Sequence, residues 1–248
     1  MFKRVILKLS GEALAGDIDS NRHYDEKAVD GIVSEISAVM RRGVQAAVVV
    51  GGGNLWRGRD ARPDMNKAHA HQIGMIGTCM NGLYLREVFE ISGAKAVVMT
   101  PFELNNFTVR FNRELALEFM ENGVVAIFAG GTAHPFFSTD SITAIRACEL
   151  EVDAVLYGKS VDGVYTCDPR VNPGARKYRT VTYATVVSGG LGAADISAVD
   201  LTRSQGIPSV VFELLRPGAI EKVCAGGGEM FEAGATLIAN DIPETFYD

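Results

Sequence analysis

Glycine-rich turns carrying cations are the features of this sequence best suited to chemistry. Four of them follow short apolar runs. The first is Lys8-Leu9-Ser10-Gly11-Glu12, and the second is Gly51-Gly52-Gly53-Asn54 with Arg57-Gly58 behind it. The third is Ala129-Gly130-Gly131-Thr132, continued by Pro135-Phe136-Phe137-Ser138-Thr139-Asp140. The fourth is Gly158-Lys159-Ser160, leading into Val161-Asp162-Gly163-Val164-Tyr165. Glycine lets backbone N–H groups come close to an oxyanion, and a helix starting after the turn adds a favourable dipole. One such turn is more often a tight connection than a phosphate site. Several at one sheet edge, two with a lysine and one with an arginine, point to an enzyme that handles phosphate. Neither G-x-x-x-x-G-K-[ST] nor G-x-G-x-x-G occurs, which disfavours a P-loop or dinucleotide fold.

The turns need a sheet to bring them together. Residues 5–9, 44–50, 94–99, 124–128, 154–157 and 209–212 read as buried strands, several of them nearly all apolar. Continuous Val/Ile runs separated by helices mark a parallel sheet covered on both faces. The clearest helix spans 26–42, with Val29, Ile32, Val33, Ile36, Val39 and Met40 on one stripe, Asp25 as N-cap and Gly43 just past its end. Further helices are predicted around 72–91, 112–122, 139–149, 195–204 and 217–224. The expected architecture is α/β, a three-layer αβα sandwich around a mainly parallel sheet. Residues 161–182 interrupt the alternation with turn pairs and read as a hairpin or loop excursion. No linker divides the chain, so one domain of 1–248 is expected, with an N-terminal lobe to about residue 150 and a C-terminal lobe from about 151 sharing one sheet. In open parallel sheets the ligand crevice lies at the carboxyl ends of the strands, where all four turns should crowd.

Composition narrows the function classes. The 248 residues are 47% hydrophobic with a formal charge of −6, which argues against a nucleic-acid or membrane-surface protein and requires any anionic substrate to be held by local groups. Cys79, Cys148, Cys167 and Cys224 form no C-x-x-C pair, so neither a zinc ribbon nor a disulfide scaffold is indicated. No signal peptide or membrane-length apolar run is apparent, and a cytoplasmic location is expected.

The run ILKLSG at 6–11, GGGN at 51–54 with Arg57-Gly58, Met80-Asn81-Gly82, PFFSTD at 135–140 and VDGVYTCDP at 161–169 resemble the amino-acid-kinase superfamily, and within it the bacterial uridylate (UMP) kinases. The resemblance runs in order along essentially the whole chain. It implies transfer of a phosphoryl group from ATP with Mg²⁺ to UMP, giving UDP and ADP for pyrimidine nucleotide synthesis, by a homohexamer built from dimers. By the same resemblance Lys8, Arg57, Asp140 and Asp168 are catalytic. Lys8, Leu9, Ser10, Gly11, Gly53, Arg57, Lys159, Tyr165 and Asp168 are implied to contact ATP. UMP is implied to meet Gly52, His71 and the segment Thr132, Ala133, His134, Pro135, Phe136, Phe137, Ser138 and Thr139, with Thr139 reading the base edge. No nucleic-acid or membrane partner is implied.

The residues keep other readings open. Asp140 is equally suited to be an N-cap or first-turn carboxylate. His71 stands where the family usually has a ribose-binding aspartate, and His134 where many members have asparagine. Residues 15–24 lack the Gly-Phe-Gly character that some members show near a GTP effector site. A relative phosphorylating a carboxylate or carbamate, or a catalytically silent nucleotide sensor, remains the alternative.

Overall fold

A computed structural model describes residues 1–16, 23–58 and 61–248, so part of the 15–24 loop lies outside the described residues. The N-terminal half contains β1 (Arg4–Leu9), α1 (Gly11–Ala15), α2 (Glu26–Arg41), β2 (Gln45–Val50), α3 (Lys67–Ile91), β3 (Ala96–Thr100), β4 (Val109–Arg110), α4 (Arg113–Glu121), β5 (Val125–Phe128) and α5 (Thr139–Glu149). There follow β6 (Ala154–Lys159), β7 (Tyr178–Thr182), α6 (Tyr183–Ser188), α7 (Ile196–Ser204), β8 (Ser209–Glu213), α8 (Ala219–Ala225), α9 (Gly227–Glu232), β9 (Thr236–Ala239) and β10 (Thr245–Phe246).

Among the described residues these strands make one sheet in the order β10-β7-β9-β8-β6-β1-β2-β5-β3-β4. It is mainly parallel; β8 with β9 and β7 with β10 are antiparallel. The strands that feed the four turns, β6, β1, β2 and β5, are consecutive parallel neighbours, so the turns emerge side by side at one edge. β1 shows why two helical layers are needed. Val5, Leu7 and Leu9 enter a core shared with α2, α3 and α8, while Ile6 enters one shared with α4, α5 and α7. Period-two alternation puts Lys8 on the Ile6 side, under α5.

The expected caps of the second helix are present. The Asp25 carboxylate accepts hydrogen bonds from the N–H groups of Lys27 and Ala28, and Gly43 follows at φ 93°, a left-handed conformation suited to glycine. α3 begins at Lys67, earlier than the residue 72 its apolar pattern suggests, because the Asn66 amide oxygen caps the N–H groups of Ala68 and His69. Within the 161–182 excursion, residues 178–182 are β7, a strand between β9 and β10. No described helix is long and apolar enough to cross a membrane.

One partly buried contact ties α2 to the far end of the chain. The Glu35 carboxylate accepts hydrogen bonds from Gly218 N at 2.7 Å and Ile220 N at 2.8 Å, occupying two N–H groups that start α8 and that no side chain of that segment caps. Glu35→Ala orphans both donors and is expected to cost about 1–3 kcal/mol of unfolding free energy. Urea denaturation checks this, and a loss below roughly 0.5 kcal/mol, the size of an ordinary surface change, would make the clamp incidental.

Candidate active site

Lys8, the second-to-last residue of β1, has its ammonium 3.1 Å from Asp140 Oδ1, and each side chain is only 13% exposed. The pairing follows from the fold: α5 crosses over β1, and its first turn lies above the carboxyl end of the strand. Capping of α5 is done by Ser138, whose Oγ accepts from the N–H groups of Asp140 and Ser141. The N-cap is therefore Ser138 and not Asp140, which is the first-turn carboxylate of α5 and is free to face Lys8. Its Oδ1 is ion-paired without hydrogen-bond alignment, and its Oδ2 accepts from Asp195 N at 3.3 Å.

Two further residues converge here from β6. Tyr157 is the in-register neighbour of Lys8, fully buried, and its hydroxyl has no hydrogen-bond partner among the described residues. Burial pushes its pKa well above the usual value, and the nearby Asp140 charge adds to the shift. Lys159, half-buried at the end of the same strand, donates to Gly192 O at 3.0 Å. Burial moves the Lys159 ammonium below the ordinary lysine range; Asp140 opposes that shift, Lys8 reinforces it and Asp195 opposes it. Two cations and two carboxylates therefore share the mouth of the β1 and β6 strands.

The second turn is packed against the first. A Cβ on Gly11 would stand 2.5 Å from Gly53 N, and one on Gly52 would stand 2.8 Å from Gly74 O of α3. Only glycine permits that approach. Arg57 braces the turn, donating from Nε to Gly53 O at 3.0 Å, and its guanidinium pairs with Glu12 at 3.0 Å. The 10–11 turn itself opens α1, with Ser10 Oγ accepting from Ala13 N.

Beside these turns lies a cleft of about 690 Å³. It brings together Gly52, Arg57, His71, Phe137, Ser138 and Thr139 of the expected site. Thr132, Ala133, His134, Pro135 and Phe136 form the loop leading to α5. Thr132 Oγ1 bonds both the N–H and the carbonyl of His134. Phe136 is exposed and touches the His71 ring, their centroids 4.9 Å apart. Within this short loop Gly130, Gly131, Ala133 and Phe136 all have positive φ, and for Ala133 at 65° and Phe136 at 72° that is strained backbone. Strain of this kind costs on the order of 1–3 kcal/mol per residue and clusters at ligand clamps.

The excursion after β6 is organised by Asp162. It accepts from Tyr165 Oη at 2.8 Å and Lys177 Nζ at 2.6 Å. Burial alone would raise the Asp162 carboxyl, but the hydrogen bonds from Lys177 and Tyr165 outweigh it and hold it below the usual range. The Tyr165 hydroxyl is correspondingly pushed up to about 12, by burial first and Asp162 second. Asp168 sits further out, on the surface, bound by Arg170; the structure does not bring it to Lys8 and Asp140.

Sequence reading passed over several of these groups. Asp195 and Gly192 come from the segment before α7, far along the chain, with no local pattern to mark them. Glu12, Trp56, Arg62 and Lys67 also line the cleft. Trp56 left a legible signal in the second turn, and its indole N–H donates to Ala70 O at 2.9 Å, closing one wall against α3.

The profile of the amino acid kinase family matches residues 3–213. A uridylate kinase from Actinobacillus succinogenes is 41% identical over 227 residues, 91% of this chain and 95% of that protein. Another, from Haemophilus influenzae, is 40% identical over 230 residues, 92% of this chain and 96% of its own length. The crystal structure of UMP kinase from Bacillus anthracis superposes with a TM-score of 0.92 at 34% identity, covering 100% of this chain and 99% of that one. That of UMP kinase from Ureaplasma parvum gives 0.88 at 30% identity over 96% and 99%. On the span of the profile match and the identity of relatives along nearly its whole length, the chain belongs to the amino acid kinase family.

Proposed function

We propose that this chain phosphorylates UMP with the γ-phosphoryl group of ATP, giving UDP and ADP. The observation that carries the reading is the Lys8–Asp140 pair at the junction of adjoining glycine turns, next to a cleft closed by Phe137, Ser138 and Thr139. Phosphoryl transfer asks a protein for positioning and for charge neutralisation, with little covalent chemistry. Lys8 meets the transferring group, held in direction by Asp140. The backbone N–H groups of the 10–11 and 52–53 turns meet the flanking phosphates, and Arg57 stands beside them. Lys159 supplies a second positive charge from the neighbouring strand β6. The base and ribose of UMP fill the cleft, with Thr139 at the base edge and His71 toward the ribose.

The two-lobe division goes with this assignment. Among the described residues the cleft is lined by ones between 12 and 139, the acceptor lobe, while Lys159, Tyr165 and Asp168 belong to the ATP lobe. A magnesium ion would arrive with ATP and neutralise phosphate oxygens. No three carboxylate, histidine or cysteine side chains converge among the described residues. Asp140, whose Oδ1 is ion-paired with Lys8 and accepts no hydrogen bond, is the carboxylate that would share the ion. Self-association into a cytoplasmic homohexamer is part of the proposal, and the exposed Ile73, Ile76 and Met80 on one side of α3 support a subunit contact there.

The acceptor is tested by coupled ADP release with UMP, acetylglutamate, glutamate, aspartate and carbamate. UMP alone should sustain turnover. Turnover with a carboxylate or carbamate, or with no acceptor at all, would contradict the reading.

Two outcomes follow for individual residues. Because Lys159 works as a cation and its pKa is lowered, kcat/KM should fall with rising pH below the ordinary lysine value of about 10.4. Lys159→Arg should move that limb to higher pH; an unchanged profile would remove Lys159 from the reaction. His71→Asp should tighten UMP binding by up to about 1–2 kcal/mol, the scale of one charge-assisted hydrogen bond to the ribose. Calorimetric titration measures it, and equal affinities would leave His71 as a packing partner of Phe136 only.

A further inference from the structure

The geometry points to Asn81 as the residue that positions the 51–53 phosphate turn, a role that rests on the phosphotransfer reading above. Three consecutive glycines carry no side chain with which to fix themselves, and their backbone freedom conflicts with the rigid alignment that phosphoryl transfer needs. The rigidity must come from a neighbour. Asn81, in α3, is 0% exposed, and its amide is turned onto this segment. Nδ2 donates to Gly51 O at 2.6 Å and to Asn54 Oδ1 at 2.7 Å. Oδ1 accepts from Asn54 Nδ2 at 3.1 Å and from Tyr24 Oη at 2.9 Å. Both donor hydrogens and both acceptor sites of the amide are thus used.

Asn54 extends the lock. Its Nδ2 also donates to His23 O at 2.9 Å, and its own carbonyl lies 3.3 Å from His23 Nδ1. The turn is caught at both ends, Gly51 by Asn81 and Asn54 by Asn81 and His23. Between them, Gly52 lies against α3 with no room for a Cβ, and the Gly53 backbone lies against Gly11 of the first turn, where a Cβ on Gly11 would stand 2.5 Å from Gly53 N. A leucine, branched in the same way but apolar and larger, would bury more apolar surface at the Asn81 position of this helix. A buried amide is instead costly unless every hydrogen bond is made, and here all of them serve this turn and its anchor. Misplacement of reacting groups by about 1 Å costs about a hundredfold in rate, so freeing the turn should appear in turnover before it appears in folding.

The test uses the full chain with Asn81→Ala, Asn54→Ala, the double variant and Tyr24→Phe. Asn81→Ala should lower kcat with ATP and UMP by about 30- to 100-fold, with both KM values within about threefold of wild type. Asn54→Ala should cause a similar loss, and the double variant little more than either alone, because both act through one turn. Amide hydrogen exchange at residues 51–54 should quicken at least about tenfold in Asn81→Ala, while the β1 and β6 strands stay protected. Kinetic losses that multiply, kcat per folded molecule near wild type, or unchanged exchange would each overturn the proposal. If Asn81→Ala does not fold, Tyr24→Phe, which removes one bond to the same amide oxygen, takes its place. It should reduce kcat several-fold and quicken the same exchange at an unchanged Tm, and no change in either contradicts the role. Wild-type protein that turns over no UMP sinks the phosphotransfer reading, while the exchange experiment still judges whether Asn81 holds the turn.

Discussion

Lys8→Ala lowers kcat for UDP formation by about 10²- to 10³-fold and leaves the protein folded. The magnitude is that of one preorganised charge removed from a transition state in a partly dry site. Lys8 is suited to that task because the sheet, not its own flexible stem, places it. It leaves a strand flanked by β2 and β6, with an aspartate holding the ammonium from above and a buried tyrosine beside it. Steady-state kinetics on protein with a native circular dichroism spectrum measures the effect. A kcat within a few-fold of wild type would show that the ammonium does not meet the transferring group.

The second large effect belongs to Asp140, and there stability and activity part ways. Asp140→Ala leaves the Lys8 ammonium shielded from water and without its carboxylate, and also strands Asp195 N. Breaking a fully buried pair costs about 3–5 kcal/mol; with both groups slightly exposed, roughly 2–4 kcal/mol is expected here. Activity should fall with it, since Lys8 loses its orientation. Replacing both partners, as Lys8→Met with Asp140→Leu, should restore most of the stability while restoring none of the turnover, because an apolar pair needs no desolvation. Urea denaturation and kinetics on the two single variants and the double variant separate the effects. Single variants as stable as wild type would mean that the ion pair contributes nothing to folding.

Much of this arrangement was legible in the residues themselves. The alternation of Val5, Ile6, Leu7 and Leu9 around Lys8 announces a strand buried on both faces with one cation in it. The run of apolar stripe, Asp25 and Gly43 announces α2 with its caps. The family motifs then placed Lys8, Gly52, Arg57 and the 132–139 segment at a common edge, and the strand order β6-β1-β2-β5 supplies the reason. What stayed hidden depends on contacts between distant segments. Asp195 reaches Asp140 only because α7 packs on α5. Asn81 looks like one polar residue in a helix until its amide is seen holding Gly51 and Asn54. The edge elements β4 and β10 have two residues each, too few for a period-two pattern to emerge. Asp168 lies in the 161–169 motif, yet the fold leaves it on the surface, paired with its near neighbour Arg170.

The most direct test of the whole account follows the phosphorus atom. Wild-type protein is incubated with ATP labelled in its γ-phosphate, magnesium and UMP, and the products are separated. The account predicts label in the β-phosphate of UDP, formed in step with ADP and slowed about 10²- to 10³-fold in Lys8→Ala. Label released as inorganic phosphate, or found on a carboxylate or carbamate when those are present together with UMP, would contradict it.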